Sequence, residues 1–170
     1  MIYRRPQTGE FGSYYEGYIN KVPGDDIIKV LSDESYMSQI EDIPEDKWMH
    51  RYAEGKWSIK EVLLHLIDTE RVFAYRAMRA GRMDKTPLPG FDQDAYVPNS
   101  NADSRTKASL MQEYKSVRKA TISLLENMGD DGLAAIGIAS DNPMTPLALG
   151  YMIAGHQIHH IELFKERYLV

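Results

Sequence analysis

The stretch Trp57-Ser58-Ile59-Lys60-Glu61-Val62-Leu63-Leu64-His65-Leu66-Ile67-Asp68 opens a helix, and the rest of the chain is read outward from it. Ser58-x-x-Glu61 has the form of a capping box, in which the serine side chain and the glutamate side chain each satisfy a backbone N–H of the first turn. Apolar residues then recur at Val62, Leu66, Val72 or Phe73, and Met78, to about Arg82. That is the period of a helix with one buried face. Arg76, Arg79 and Arg82 cluster in its last turns, where cations suit the negative end of the helix dipole. An anion-binding site is the alternative reading of the same three arginines.

Upstream, residues 1–23 read as an irregular arm. Pro6, Gly9, Gly12, Gly17 and Pro23 punctuate a segment that carries Tyr3, Tyr14, Tyr15 and Tyr18. From Gly24-Asp25-Asp26 a helical period runs through Ile27, Val30, Leu31, Met37 and Ile40, and Pro44 ends it. Downstream, residues 83–103 hold Pro87, Pro89, Gly90 and Pro98 and form a long loop, with Phe91 and Tyr96 expected to lie on the domain surface. Loops of this length tend to be functional or disordered. A third helix is predicted from about Ser104 to Met128. Residues 129–144 make another connection, with a short β-hairpin around Asp141-Asn142. Thr145-Pro146 then places a capping threonine before a proline at the first helical position, opening a fourth helix to about Tyr168.

Four helical segments in 170 residues predict an all-α fold, a four-helix bundle forming one domain over residues 1–170. The 83–103 connection constrains the topology. A link of that length spans roughly 70 Å when extended, against about 37 Å for a 25-residue helix. It can cross the whole bundle, so the second and third helices can run parallel, giving an up-down-down-up order. A simple up-and-down bundle needs no such link.

Composition removes several function classes. The chain has 20 basic and 25 acidic residues, a net charge of −5, which is not the electrostatic footprint of a nucleic-acid binder. It has no cysteine, so disulfides, thiolate metal sites and a cysteine nucleophile are excluded. No apolar run approaches the ~18 residues of a membrane span, and the amino-terminal segment lacks the apolar core of a secretory signal. A cytoplasmic protein with no membrane or nucleic-acid partner is the expectation.

Chemistry is sought in the five histidines. His50 falls in a polar connection and receives no role. His156 and His160 stand four apart on the fourth helix, hence on one face, where they can share a metal ion. Leu149, Met152, Ile153 and Leu163 share that face, which turns the pair inward. Two buried imidazoles need partners, and a metal would satisfy both. His65 is seven residues into its helix, roughly 10 Å along, and the His156–His160 midpoint is roughly 15 Å from the end of the fourth helix. If those helices are antiparallel, all three histidines lie at similar depth. His159 points about 60° to the other side of His156, against about 40° for His160, which makes it a substitute ligand or a residue behind the ligands.

Gly155-His156-Gln157-Ile158-His159-His160 also has the spacing of the zincin motif, but Gln157 stands where that chemistry needs a glutamate base, which argues against a zincin protease. Of the carboxylates near His65, Glu61 is committed to the helix cap. Asp68 is the weak catalytic candidate, able to orient a histidine or act as a base if it is not simply an exposed aspartate.

At these residues the chain resembles the DinB/YfiT-like superfamily of metal-binding bundles. The likeness rests on Gly55-Lys56-Trp57-Ser58-Ile59-Lys60-Glu61 leading to His65-Leu66-Ile67-Asp68, and on Ala154-Gly155-His156-Gln157-Ile158-His159-His160. It extends to Pro87-Leu88-Pro89-Gly90-Phe91-Asp92-Gln93-Asp94-Ala95-Tyr96 and to the Arg-Pro…Tyr-Tyr opening, so it covers nearly the whole chain. The resemblance implies the up-down-down-up bundle, a divalent metal (nickel or zinc) held by His65, His156 and His160, and a homodimer. It implies a metal-dependent hydrolase acting on a small molecule. In some branches it implies instead an S-transferase or isomerase that uses a low-molecular-weight thiol such as bacillithiol, mycothiol or glutathione. A non-catalytic metal-binding stress protein is the remaining reading.

Overall fold

The structure is a computed structural model that describes residues 4–170; Tyr3 of the predicted arm lies outside the described residues. Eight α-helices and one small hairpin follow in order: α1 (Glu16–Lys21), α2 (Ile27–Leu31), α3 (Glu34–Glu41), α4 (Ile59–Gly81), α5 (Gln93–Tyr96), α6 (Lys107–Glu126), α7 (Asp130–Ala134), β1 (Gly137–Ala139), β2 (Asn142–Met144) and α8 (Pro146–Leu163).

The caps read from the sequence set the start of the long helices. Ser58 Oγ accepts from Glu61 N at 3.1 Å while Ser58 N donates to Glu61 Oε2 at 2.8 Å, so both halves of the capping box open α4. Thr145 Oγ1 accepts from Ala148 N at 3.1 Å, with Pro146 as first residue of α8. Thr106, not Ser104, caps α6, because a 3-10 turn occupies Ala102–Ser104. The predicted fourth helix does run to Tyr168, but its last turn, Phe164–Tyr168, widens to a π-helix.

Two expectations need correction. The period across residues 24–43 is two helices, because Asp33 accepts from Ser35 N at 2.9 Å and caps a new start at α3. An aspartate that takes a backbone N–H offers the chain an exit from the helix. The arm is not wholly irregular either. Residues 16–21 form α1, which packs along α8.

Four helical layers result, α2–α3 with α4, α6 and α8, and residue contacts give their directions. Ile27 and Leu125 both meet α8 at Gly150, which sets the start of α2 and the end of α6 at one end of the bundle. At the other end, Lys107 donates to Ile43 O at 2.9 Å, and Ile40, Trp48, Ile59, Leu110 and Phe164 share one apolar cluster. Helices α4 and α6 therefore run parallel, α3 and α8 run against them, and the order is up-down-down-up. The 83–106 crossover carries α5 across the bundle. It is pinned to the hairpin where Leu88 N donates to Ile138 O at 2.9 Å and Ser140 N to Leu88 O at 3.0 Å. The hairpin itself turns through Ser140 and Asp141, both left-handed (φ 50° and 60°), the geometry of a two-residue turn that matches strand twist.

Gly155 marks the tightest helix approach. A Cβ there would stand 2.0 Å from Tyr18 O and 2.5 Å from Tyr18 C. These are backbone atoms that no rotamer change can move. Gly155→Ala is expected to push α1 off α8, at a cost of about 2–3 kcal/mol. In a thermal melt that is a drop of roughly 5–10 °C; an unchanged melting temperature would show that α1 is not held against α8 in solution.

Candidate metal centre

The antiparallel crossing of α4 and α8 brings three imidazoles to one point. His65 lies two turns past the Ser58 cap, and His156 and His160 lie one turn apart on α8. His65 Nε2 is 3.0 Å from His156 Nε2, and His160 Nε2 is 3.1 Å from His156 Nε2. One nitrogen from each residue falls within 4.8 Å of the other two. Their relative exposures are 6%, 7% and 8%, so all three rings are buried.

Burial pushes the pKa of His65 down to about 4. Burial first, and the neighbouring imidazoles second, hold His156 and His160 well below the usual histidine value. Three neutral rings facing one another raise a problem of protons. A neutral imidazole nitrogen offers either one hydrogen or one lone pair. His156 Nε2 faces two partners, so no assignment of protons gives each contact its own hydrogen bond. A cation that accepts all three lone pairs resolves the conflict. Two nitrogens bound at 2.0–2.1 Å to one ion stand about 3–3.5 Å apart, which the two observed separations match. The donor set fits a divalent metal.

The surroundings hold the rings in place. Thr69 Oγ1 lies 3.4 Å from His65 Nδ1, and Trp57 lies against the His65 ring with centroids 5.0 Å apart. Tyr18 of α1 stands edge-on to both His156 and His159, at 5.3 and 5.4 Å. Gln157, next to His156, accepts at 2.8 Å from Arg118 of α6, and Arg118 is paired with Glu70 of α4. This buried chain ties the three helices together one step behind the histidines. His160 Nδ1 is buried with no partner.

The three histidines do not close the site. A cavity of about 290 Å³ reaches His156, walled by Tyr14, Tyr18, Phe73, Phe91 and Ser140 among others. The crossover contributes Phe91 to it, and Phe91 with Tyr96 also covers the His65 side.

The sequence profile of the DinB superfamily matches residues 34–164. The chain belongs to the DinB superfamily. YfiT from Bacillus subtilis, described as a probable metal-dependent hydrolase with an unusual four-helix bundle topology, superposes on it with a TM-score of 0.69 and 18% identity, over 82% of this chain and 84% of YfiT. At that identity the likeness speaks for the fold. A search of curated proteins finds no match.

In this DinB-superfamily chain the structure brings together His65, His156 and His160, as the level argument expected, and leaves His159 outside. His159 is partly exposed, packed on Tyr18 and against the His160 ring at 5.1 Å. Asp68 is half-buried, which raises its pKa, but its carboxylate takes Arg71 at 3.4 Å and no imidazole nitrogen. His50 stands edge-on to Tyr168, away from the cluster. Sequence reasoning missed Thr69, Tyr18 and the Arg118–Glu70–Gln157 chain. Thr69 alone carried a local signal, four residues after His65. No described helix is long and apolar enough to cross a membrane.

The depressed histidine pKa values predict acid sensitivity of the metal-free protein. In the unfolded chain histidine titrates near 6.5, so between that value and about 4 the unfolded state binds more protons. Stability is complete above pH 6.5 and is lost as pH falls through the folded pKa values. His65 alone accounts for about 2 kcal/mol between pH 7 and pH 5. Urea titrations of the metal-free protein at the two pH values measure it, and equal midpoints would place the rings in water.

Proposed function

We propose that this protein holds one divalent ion, zinc or nickel, on His65, His156 and His160 and works as a metal-dependent hydrolase of a small molecule. The convergence of three neutral Nε2 atoms at the end of a cavity carries the reading. A metal held by three protein nitrogens, beside a cavity, keeps a position open, whereas structural zinc is closed by four ligands. When bound, the ion supplies Lewis acidity, which makes a nucleophile available at neutral pH. The chain's own residues do the rest. Thr69 and Trp57 fix the His65 ring, Tyr18 fixes His156, and Phe91 with Tyr96 keeps bulk water from the His65 side.

A second reading has the same centre serve a thiol transfer. The absence of any cysteine requires the sulfur to come from a low-molecular-weight cosubstrate, and the cavity beside His156 is where it would enter. Protein stripped of metal and reloaded with zinc or nickel decides between them. Near one ion per chain is expected, with metal-dependent hydrolysis of an activated ester. Conjugation of bacillithiol or glutathione to an electrophile in place of hydrolysis would select the transfer. Failure to bind either metal would overturn both.

A further inference from the structure

The three arginines near the end of α4 do not share one role. Arg79 pairs with Asp84 on the surface. Arg76 is 3% exposed and packs behind Phe73 and Phe91, two walls of the histidine cavity. Its Nη2 donates to Pro89 O at 2.9 Å and lies 3.2 Å from Ser140 Oγ. Its carbon centre lies over the rings of Phe73 and Phe91, 5.9 and 5.6 Å from the centroids. Its Nη1 is buried without a hydrogen bond of its own, and the neutral Tyr15 hydroxyl beside the guanidinium supplies no counter-charge. Among the described residues no carboxylate lies within ion-pair distance of it. Arg118 shows what this chain does with a guanidinium whose charge is balanced inside the fold: it is 4% exposed and fully paired with Glu70.

A buried cation without a counter-charge is costly, and buried charges are as a rule paired. The neighbours of Arg76 indicate where its partner enters. Phe73, Phe91 and Ser140, which touch the guanidinium, and Tyr15, which stands beside it, all wall the cavity that reaches His156. The helix sets the distance. From His65 to Arg76 is eleven residues, three turns, so the two side chains leave α4 within about 20° of one another and roughly 16 Å apart along its axis. Helical side chains lean toward the helix start, and the longer arginine reaches further that way than the imidazole, which brings the guanidinium nearer to the histidines.

We propose that Arg76 is the anion-holding end of the histidine cavity, and that the ligand of this protein carries a carboxylate that pairs with Arg76 Nη1 while its reactive end lies against His65, His156 and His160. This rests on the reading of the histidine cavity given above and adds the substrate class to it. One guanidinium charge, with one free nitrogen, matches a single carboxylate. Phe91, on the crossover, is the residue that must swing aside to admit it. Tyr18, Phe73 and Phe91 between the two ends call for an aromatic spacer, and Asp92 with Gln93, also in the wall, leave Arg76 as the one place among the described residues that suits the carboxylate.

The test uses a matched pair, 5-phenylpentanoate and 5-phenylpentanamide, titrated by calorimetry into wild type, Arg76→Gln and Arg76→Lys, each zinc-loaded and metal-free, with zinc content measured on the same samples. The carboxylate is expected to bind wild type about tenfold or more tighter than the amide, the worth of a charged hydrogen bond. Arg76→Gln loses the preference and Arg76→Lys keeps part of it. Arg76→Gln is also expected to melt no lower than wild type, since it removes an unbalanced charge; a merely structural arginine would show the opposite. Equal affinity for the pair, or binding of neither at millimolar concentration, overturns the proposal. So does a preference that survives Arg76→Gln and disappears with the zinc, which would put the carboxylate on the metal. Zinc bound without any preference sinks the subsite alone, and a preference without zinc binding sinks the metal centre alone.

Discussion

Glu70→Gln is expected to destabilise the fold by about 3–5 kcal/mol, the cost of leaving a buried charge without its partner. Glu70 and Arg118 are 3% and 4% exposed, one on α4 and one on α6, at the same level of two parallel helices. Arg118 Nε is 3.0 Å from Oε1 of Glu70, and its Nη2 is 2.9 Å from Oε2. The remaining donors reach Gln157 Oε1 at 2.8 Å and Tyr114 Oη at 3.3 Å. Glutamine preserves the shape and one acceptor but not the charge, so the loss isolates the electrostatic part. Urea denaturation at neutral pH measures it, and a loss below 1 kcal/mol would mean that water reaches Arg118. A Glu70→Leu/Arg118→Met double variant should recover most of the stability, because apolar pairs of similar volume replace buried ion pairs at little cost. It would still leave Gln157 without its partner, and Gln157 is covalently next to His156. Recovered stability with weakened metal binding is therefore the expected profile of the double variant.

That coupling also shows which parts of the molecule a sequence can disclose. Capping is local, so Ser58 with Glu61 and Thr145 with Pro146 announced the starts of α4 and α8 within four residues. Helical rise is fixed, so the depth of His65 could be set against that of His156 and His160 once the length of the crossover allowed antiparallel helices. The Arg118–Glu70 pair lies 48 residues apart on two different helices, and nothing in local spacing links them. Asp33 falls in the six-residue gap between Leu31 and Met37, which are about 120° out of helical phase, but an aspartate there reads as a solvated position until its hydrogen bond is seen. Arg76 suited the negative end of a helix as well as Arg79 did. Only the packing of Phe91 and Ser140 from distant segments distinguishes the two.

His156→Ala is expected to reduce bound metal from near one ion per chain to near zero, a loss of affinity of roughly 100-fold or more. His156 is the ring that both other imidazoles face, at 3.0 and 3.1 Å, so its removal leaves His65 and His160 without a shared neighbour. His159→Ala should leave the metal content unchanged. His159 is the adjacent histidine on the same helix turn as His160, but its ring packs on Tyr18 at the partly exposed edge. The pair of variants separates position from residue type, because each deletes one imidazole from α8. Elemental analysis after reloading with zinc measures both, and a thermal melt of the metal-free proteins controls for folding. Equal loss in the two variants would mean that the ion is held by α8 as a whole and not by the three nitrogens that converge. Loss in His156→Ala alone, with the fold intact, would assign the ion to the point where α4 and α8 cross. That would make the crossing itself, held by Arg118 through Glu70 of α4 and Gln157 of α8, the element that sets the geometry of the centre.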